Sequence, residues 1–186
     1  MKLNVFLLDN LVGYLYTTAD RGIVFSYDEK YLSTGKVPLS LSLPLQQKEF
    51  SQKECLPYFS GLLPEGTVKS RISQYLQISE SSTMKFLQFL GGECSGTVSF
   101  IDSNESEFRP KNTFQLSDEN YIPLTDEGLL KMVKESKNKP MLLGSKDLRL
   151  SLAGAQEKIS LAYYDESWHI PKNGAPSTHI LKPTRE

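Results

Sequence analysis

The chain has 186 residues and a formal net charge of −1, from 21 Lys and Arg against 22 Asp and Glu. A hydrophobic fraction of 39%, with 10% aromatics, is enough for a packed core and excludes a disordered chain. The absence of a basic excess argues against direct DNA or RNA binding, and two cysteines (Cys55, Cys94) with two histidines show no metal-ligand spacing.

Free thiols in a reducing compartment are the simplest reading of the two cysteines. Residues 1–10 are too short and too polar for a signal peptide, and no stretch approaches membrane-spanning length. The expectation is a cytoplasmic protein.

Residues 3–8, 11–16 and 23–27 read as strands, separated by turns at Asp9-Asn10 and Asp20-Arg21-Gly22. They predict a β-meander. Residues 28–33 suit a short helical turn. Residues 38–44 alternate leucine and serine between prolines, as an edge strand or extended segment does. Residues 55–62 predict a short helix. Pro64 suits the first position of the next helix, with Glu65 beside its positive end. Val68, Ile72, Tyr75 and Leu76 then share one face. Ser82 can cap a helix with the stripe Met84, Leu87 and Leu90, stopped by Gly91. Residues 97–101 read as a strand closing this first unit.

Residues 102–112 are polar and read as a surface loop. Phe114-Gln115-Leu116 suits a short strand. Thr125 can cap a helix carrying Leu129, Leu130, Met132 and Val133, which fades over residues 136–140. The lysines there read as a solvated helix end.

The rest of the chain is organised around residues 148–163. Leu148, Leu150 and Leu152 alternate with Arg149 and Ser151, and Ile159, Leu161 and Tyr163 alternate with Ser160 and Ala162. Both runs have the period of a half-buried strand. Between them lie Ala153, Gly154, Ala155, Gln156, Glu157 and Lys158. Small side chains let backbone N–H groups approach an anion, and glycine permits the positive φ that aims them. Taken alone, this loop is more economically an ordinary hairpin turn, for it matches no phosphate-loop pattern. Lys182 ends a strand over residues 178–182 and lies 28 residues beyond Gly154. Kinases carry a phosphate-pairing lysine on a strand after a glycine-rich hairpin, although a lone lysine at a strand end is commonly just solvated.

Residues 148–158 closely resemble the Gly-Ala-Gln-Glu-Lys loop of the HipA family, kinase toxins of bacterial toxin–antitoxin modules. Residues 178–182 resemble its nucleotide-lysine strand. Residues 38–45, 59–66 and 91–98 fit the family as well, in its order. The resemblance implies that Lys182 pairs with the phosphates of ATP and that the backbone of Ala153, Gly154, Ala155, Gln156, Glu157 and Lys158 covers them. Lys158 either adds a phosphate contact or faces solvent. Ser151 matches the serine that such kinases autophosphorylate. His169 and His179 read as structural, and Trp168 as core or site wall.

The expected fold is α+β. An antiparallel β-rich N-terminal unit with inserted helices (residues 1–103) is followed by a connecting loop and helix (104–145). A small kinase-like N-lobe with a glycine-containing hairpin completes it (146–186). Phosphoryl transfer also needs an aspartate and Mg²⁺ ligands, which in kinase order come after the lysine. Only four residues follow Lys182. No catalytic residue and no metal ligand is therefore assigned to this chain, and alone it is expected to be inactive. By resemblance, the whole kinase phosphorylates an aminoacyl-tRNA synthetase and is held by a DNA-binding HipB-type antitoxin. The expected partners are that antitoxin and a kinase C-terminal lobe, if separately encoded. The alternative is a non-catalytic module that neutralises or complements a separately encoded HipA-like kinase.

Overall fold

A computed structural model describes residues 1–8, 10–20, 22–34, 37–94, 98–104, 120–136, 150–151, 153–172 and 175–183, with backbone alone at 93, 94, 150 and 151. In chain order the first elements are β1 (Lys2–Leu7), β2 (Asn10–Thr18), β3 (Gly22–Tyr27), α1 (Glu29–Thr34), α2 (Gln52–Gly61), α3 (Gly66–Leu76) and α4 (Thr83–Leu90). There follow β4 (Glu93–Cys94), β5 (Val98–Asp102), β6 (Tyr121–Leu124) and α5 (Asp126–Ser136). The last are β7 (Leu150–Ser151), β8 (Ile159–Tyr164), β9 (Ser167–Pro171) and β10 (His179–Leu181).

The meander forms, and β5 joins it on the far side of β1, giving an antiparallel sheet ordered β3-β2-β1-β5. Period-two alternation puts Leu3 opposite Leu15, and Val5 opposite Gly13 and Phe100, on one face. Gly13 is small because a Cβ there would lie 2.9 Å from Phe25 Cε2. Cys55 and Phe59 of α2, with Met84, Phe86, Leu87 and Leu90 of α4, complete the same core. Phe59 meets Phe25 and Phe100 edge-on, with ring centroids 5.4 and 5.8 Å away. Each such buried ring stabilises the fold by roughly 1.5–3 kcal/mol through removal of apolar area from water.

The second sheet is also antiparallel, ordered β10-β8-β9-β6. Its tight β8–β9 turn uses positive φ at both Asp165 (49°) and Glu166 (57°), the handedness that suits twisted hairpins. Tyr121 packs with Ala162 and Ala175, and its hydroxyl donates to the Pro176 carbonyl at 3.0 Å. β6 is not apparent in the sequence, because Pro123 demotes so short a run. It is tolerated because β6 is an edge strand.

Two expectations are corrected. β7 does not form a hairpin with β8: it runs parallel to β4, with Glu93 opposite Leu150 and Cys94 opposite Ser151, while β8 pairs with β9 and β10. Pro64 does not open α3, which begins at Gly66 after the cap residue Glu65. One contact explains both. Pro64 makes a parallel bridge with Gly154, and the Glu65 N–H donates to the Gly154 carbonyl at 3.1 Å. The loop after β7 is therefore drawn onto the first unit instead of turning directly into its own sheet. Along α3, Val68 and Ile72 face inward, whereas Tyr75 is 47% exposed. Thr125 caps α5 by accepting the Gly128 N–H at 3.1 Å, but Leu130 on that helix is exposed. The expectations that involve Asp9, Arg21, Thr97, Phe114-Gln115-Leu116, Leu148, Arg149 and Leu152 lie outside the described residues. Among the described residues, no helix is long and apolar enough to cross a membrane.

Candidate nucleotide-phosphate site

Two elements set the site: the loop leaving β7 and the ladder between β8 and β10. Gly154 has φ +101°, a conformation that a side chain would strain, and its carbonyl is fixed by the Glu65 N–H. Ala155 and Gln156 beyond it are exposed. Gly66, at φ +56°, lies beside the loop: a Cβ there would be in ordinary contact with Ala155 Cβ at 3.7 Å.

The lysines are placed by register. β10 pairs with β8 so that Ile180 faces Ser160 and Leu181 faces Ile159. Lys158 immediately precedes β8 and Lys182 immediately follows β10, so the register brings both to the same end of this ladder, where the Lys182 ammonium acts on Lys158. Lys182 is exposed, and Lys158 is half-buried.

Lys158 does not simply face solvent. Its Nζ donates back to the carbonyls of Ala153, at 2.7 Å, and Gln156, at 3.0 Å. It is a strut inside the loop, holding the loop closed over its own backbone. Burial holds its pKa below the usual lysine range, and the Lys182 ammonium pushes it down further, against an opposing pull from Glu65. Two cations thus meet at the mouth of a glycine loop, an arrangement that an anion would relieve.

Glu157 turns away from this pair. Its carboxylate accepts from Arg71 of α3 at 3.0 Å, with the glutamate side chain only 15% exposed. Arg71 also donates to the Ser136 carbonyl at the end of α5, at 3.4 Å. No local spacing points to Arg71, since it lies 86 positions from Glu157. Ser151 sits in β7 opposite Cys94. The two histidines pack with aromatic side chains of the second sheet. His169 is buried edge-on to Tyr121, and His179 packs with Tyr163 and Trp168 at ring distances of 5.8 and 5.3 Å. Trp168 belongs to this aromatic group and is half-buried.

Comparison with known proteins gives this geometry a family. Residues 3–101 match the HipA N-terminal domain, and the chain belongs to that family. It is 35% identical over 182 residues to Y4mE of Sinorhizobium fredii, a protein that carries a kinase name, covering 97% of this chain and 43% of that one. It is 26% identical over 184 residues to the serine/threonine-protein kinase toxin HipA of Shewanella oneidensis, covering 98% and 40%. An uncharacterized protein of Haemophilus influenzae is 35% identical over 101 residues, 54% of this chain and 92% of its own. A solved complex of the Shewanella oneidensis MR-1 toxin–antitoxin system, with HipA, HipB and operator DNA, shares the fold. Its TM-score is 0.69 at 23% identity, over 96% of this chain and 39% of that one. The chain therefore spans less than half the length of Y4mE and of the Shewanella toxin.

Proposed function

We propose that this chain forms the nucleotide-phosphate roof of a HipA-like serine/threonine kinase, and that its first unit is a contact surface for a HipB-type antitoxin. What supports the reading is the placement of Lys158 and Lys182 at one end of the β8–β10 ladder, close enough to affect each other, beside the positive-φ loop. Two ammonium groups held near each other disfavour one another's charge, and an anion bound beside them relieves that cost. A triphosphate fits that need, and the fit rests on these two ammonium groups and the exposed turn at Ala155 and Gln156.

When bound, ATP supplies the phosphoryl group that a kinase transfers. Lys182 would hold its phosphates, the backbone of residues 153–158 would lie over them, and Lys158 would keep the loop closed while adding positive potential. Mg²⁺ ligands and a catalytic aspartate are not assigned to residues of this chain. Ser151 is the proposed autophosphorylation site. A phosphate there adds about −1.5 to −2 charges at the root of the loop, where it would compete with bound nucleotide. The antitoxin reading is supported by the Shewanella relative of the same fold, which occurs in a complex with HipB and operator DNA. Action on an aminoacyl-tRNA synthetase belongs to the proposal for the whole kinase.

The test is an amide chemical-shift titration of the 186-residue chain with MgATP. Weak binding is expected, at millimolar nucleotide, with shifts confined to residues 153–158 and Lys182 and lost in Lys182→Ala. Shifts centred elsewhere, or none at all, would overturn the nucleotide reading.

A second reading is a non-catalytic module that neutralises or complements a separate HipA-like kinase. The Haemophilus influenzae relative favours it, because 101 aligned residues nearly fill that protein. Capture of a complete kinase by this chain, with no change on Lys182→Ala, would select the module.

A further inference from the structure

We propose that Arg71 is a positioning residue for the nucleotide loop: from α3 it holds Glu157, and through Glu157 it fixes the loop over the place where phosphates would lie. The inference rests on the nucleotide reading above for its purpose, but on separate observations for its geometry. The loop touches the first unit at successive points. Gly154 bridges Pro64 and accepts the Glu65 N–H, Ala155 lies over Gly66, and Glu157 accepts from Arg71 Nη1 at 3.0 Å. The first contacts fix the entry of the loop, where glycine gives the backbone its freedom. The Arg71–Glu157 pair fixes the exit, one residue before Lys158.

That position matters because Lys158 and Lys182 repel each other. With no anion present, the repulsion favours swinging the loop outward. A charge-assisted pair with a half-buried arginine and a mostly buried carboxylate opposes that motion. Arg71 also reaches the Ser136 carbonyl at 3.4 Å, so the loop, α3 and the end of α5 share one guanidinium. A planar five-donor group suits this task, since it can serve two acceptors in different directions, which a lysine does less well. A ligand that shifts α3 or the end of α5 would then change the loop without touching it.

The test is hydrogen exchange on the 186-residue chain, with an MgATP titration alongside. Arg71→Ala should raise exchange of the residue 154–158 amides about tenfold, the size expected for losing a charged hydrogen bond, and leave β1 and β2 unchanged. Glu157→Gln removes the charge with little change of shape, so it should reproduce the effect even if Arg71→Ala folds poorly. The reversed pair, Arg71→Glu with Glu157→Arg, should restore slow exchange. Unchanged loop exchange in both single variants overturns the proposal, as does loosening that the reversed pair does not repair. If the native chain binds no MgATP but the loop still loosens and is rescued, the positioning contact stands and the nucleotide reading falls. If it binds MgATP with equal affinity and equal loop exchange in both single variants, the nucleotide reading stands and this proposal falls.

Discussion

Gly154 and Cys55 show how a single position carries its consequences. At φ +101° a β-carbon on residue 154 is strained, and it would also lie 3.2 Å from Lys158 Nζ, crowding the strut. Gly154→Ala should therefore cost about 1–2 kcal/mol in thermal unfolding, the scale of a left-handed non-glycine residue, and should abolish MgATP-induced shifts in the loop. Cys55 lies on the buried face of α2, and desolvation pushes its thiol up to about 11. Only about a thousandth of it is thiolate at pH 8, so labelling of Cys55 by a thiol reagent should be undetectable until denaturant is added, as read by peptide mass. Lys158 gives a pH prediction with a definite sign. Its folded pKa is lowered below 10.5, so the charged form is disfavoured in the fold. Stability should rise as pH climbs through that lowered value towards 10.5. Phosphate binding favours the charged form, so MgATP affinity should fall over the same window, and Lys158→Met should remove that fall. Gly154 and Lys182 were legible as candidates because glycine freedom and strand-end lysines leave local traces. The strut role of Lys158 and the contact from Arg71 were not, because they depend on where the loop folds back, which no local spacing encodes.

Strands and helices divide in the same way. The meander, α2, α4 and α5 follow from period-two or helical spacing, with turn and stop residues between them, and they appear close to where that spacing puts them. The predicted 148–163 hairpin failed for a physical reason. Alternation shows that Leu150 and Ile159 lie in strands, but not which strand each one pairs with. A nine-residue separation suits a hairpin, yet the backbone of Pro64 and Glu65 takes the loop instead. The core of the first unit should behave as one packed body. Phe59 is fully buried between Phe25 and Phe100, so Phe59→Ala should lower stability by about 3–5 kcal/mol in urea unfolding, with the loss of Lys182-dependent binding following only from unfolding.

At the scale of the whole molecule, the second sheet exposes apolar side chains at its β10 edge and at the end of β8. Ile180 is 51% exposed two residues before Lys182, and Tyr164 at the end of β8 is also exposed. A partner seated over bound phosphates would cover these side chains too. The chain is therefore expected to self-associate through this face or to bind a separately encoded kinase C-terminal lobe. Sedimentation that shows a monomer at high concentration, with no binding of a dye for apolar surface, would count against self-association. Co-purification with such a lobe, weakened by Ile180→Asp and by Lys182→Glu, is the expected result for the second case.

The clasp between the loop and α3 also bears on the order of assembly. Its ends are 86 positions apart, so the contact forms only after the first unit has folded and the distant segment has found it. During synthesis residues 2–102, which hold the first sheet and its helices, leave the ribosome before the glycine loop does. The Arg71–Glu157 pair should then be absent from the rate-limiting step. Breaking it should speed unfolding and leave the refolding rate almost unchanged, so the site is built last and is the first to open.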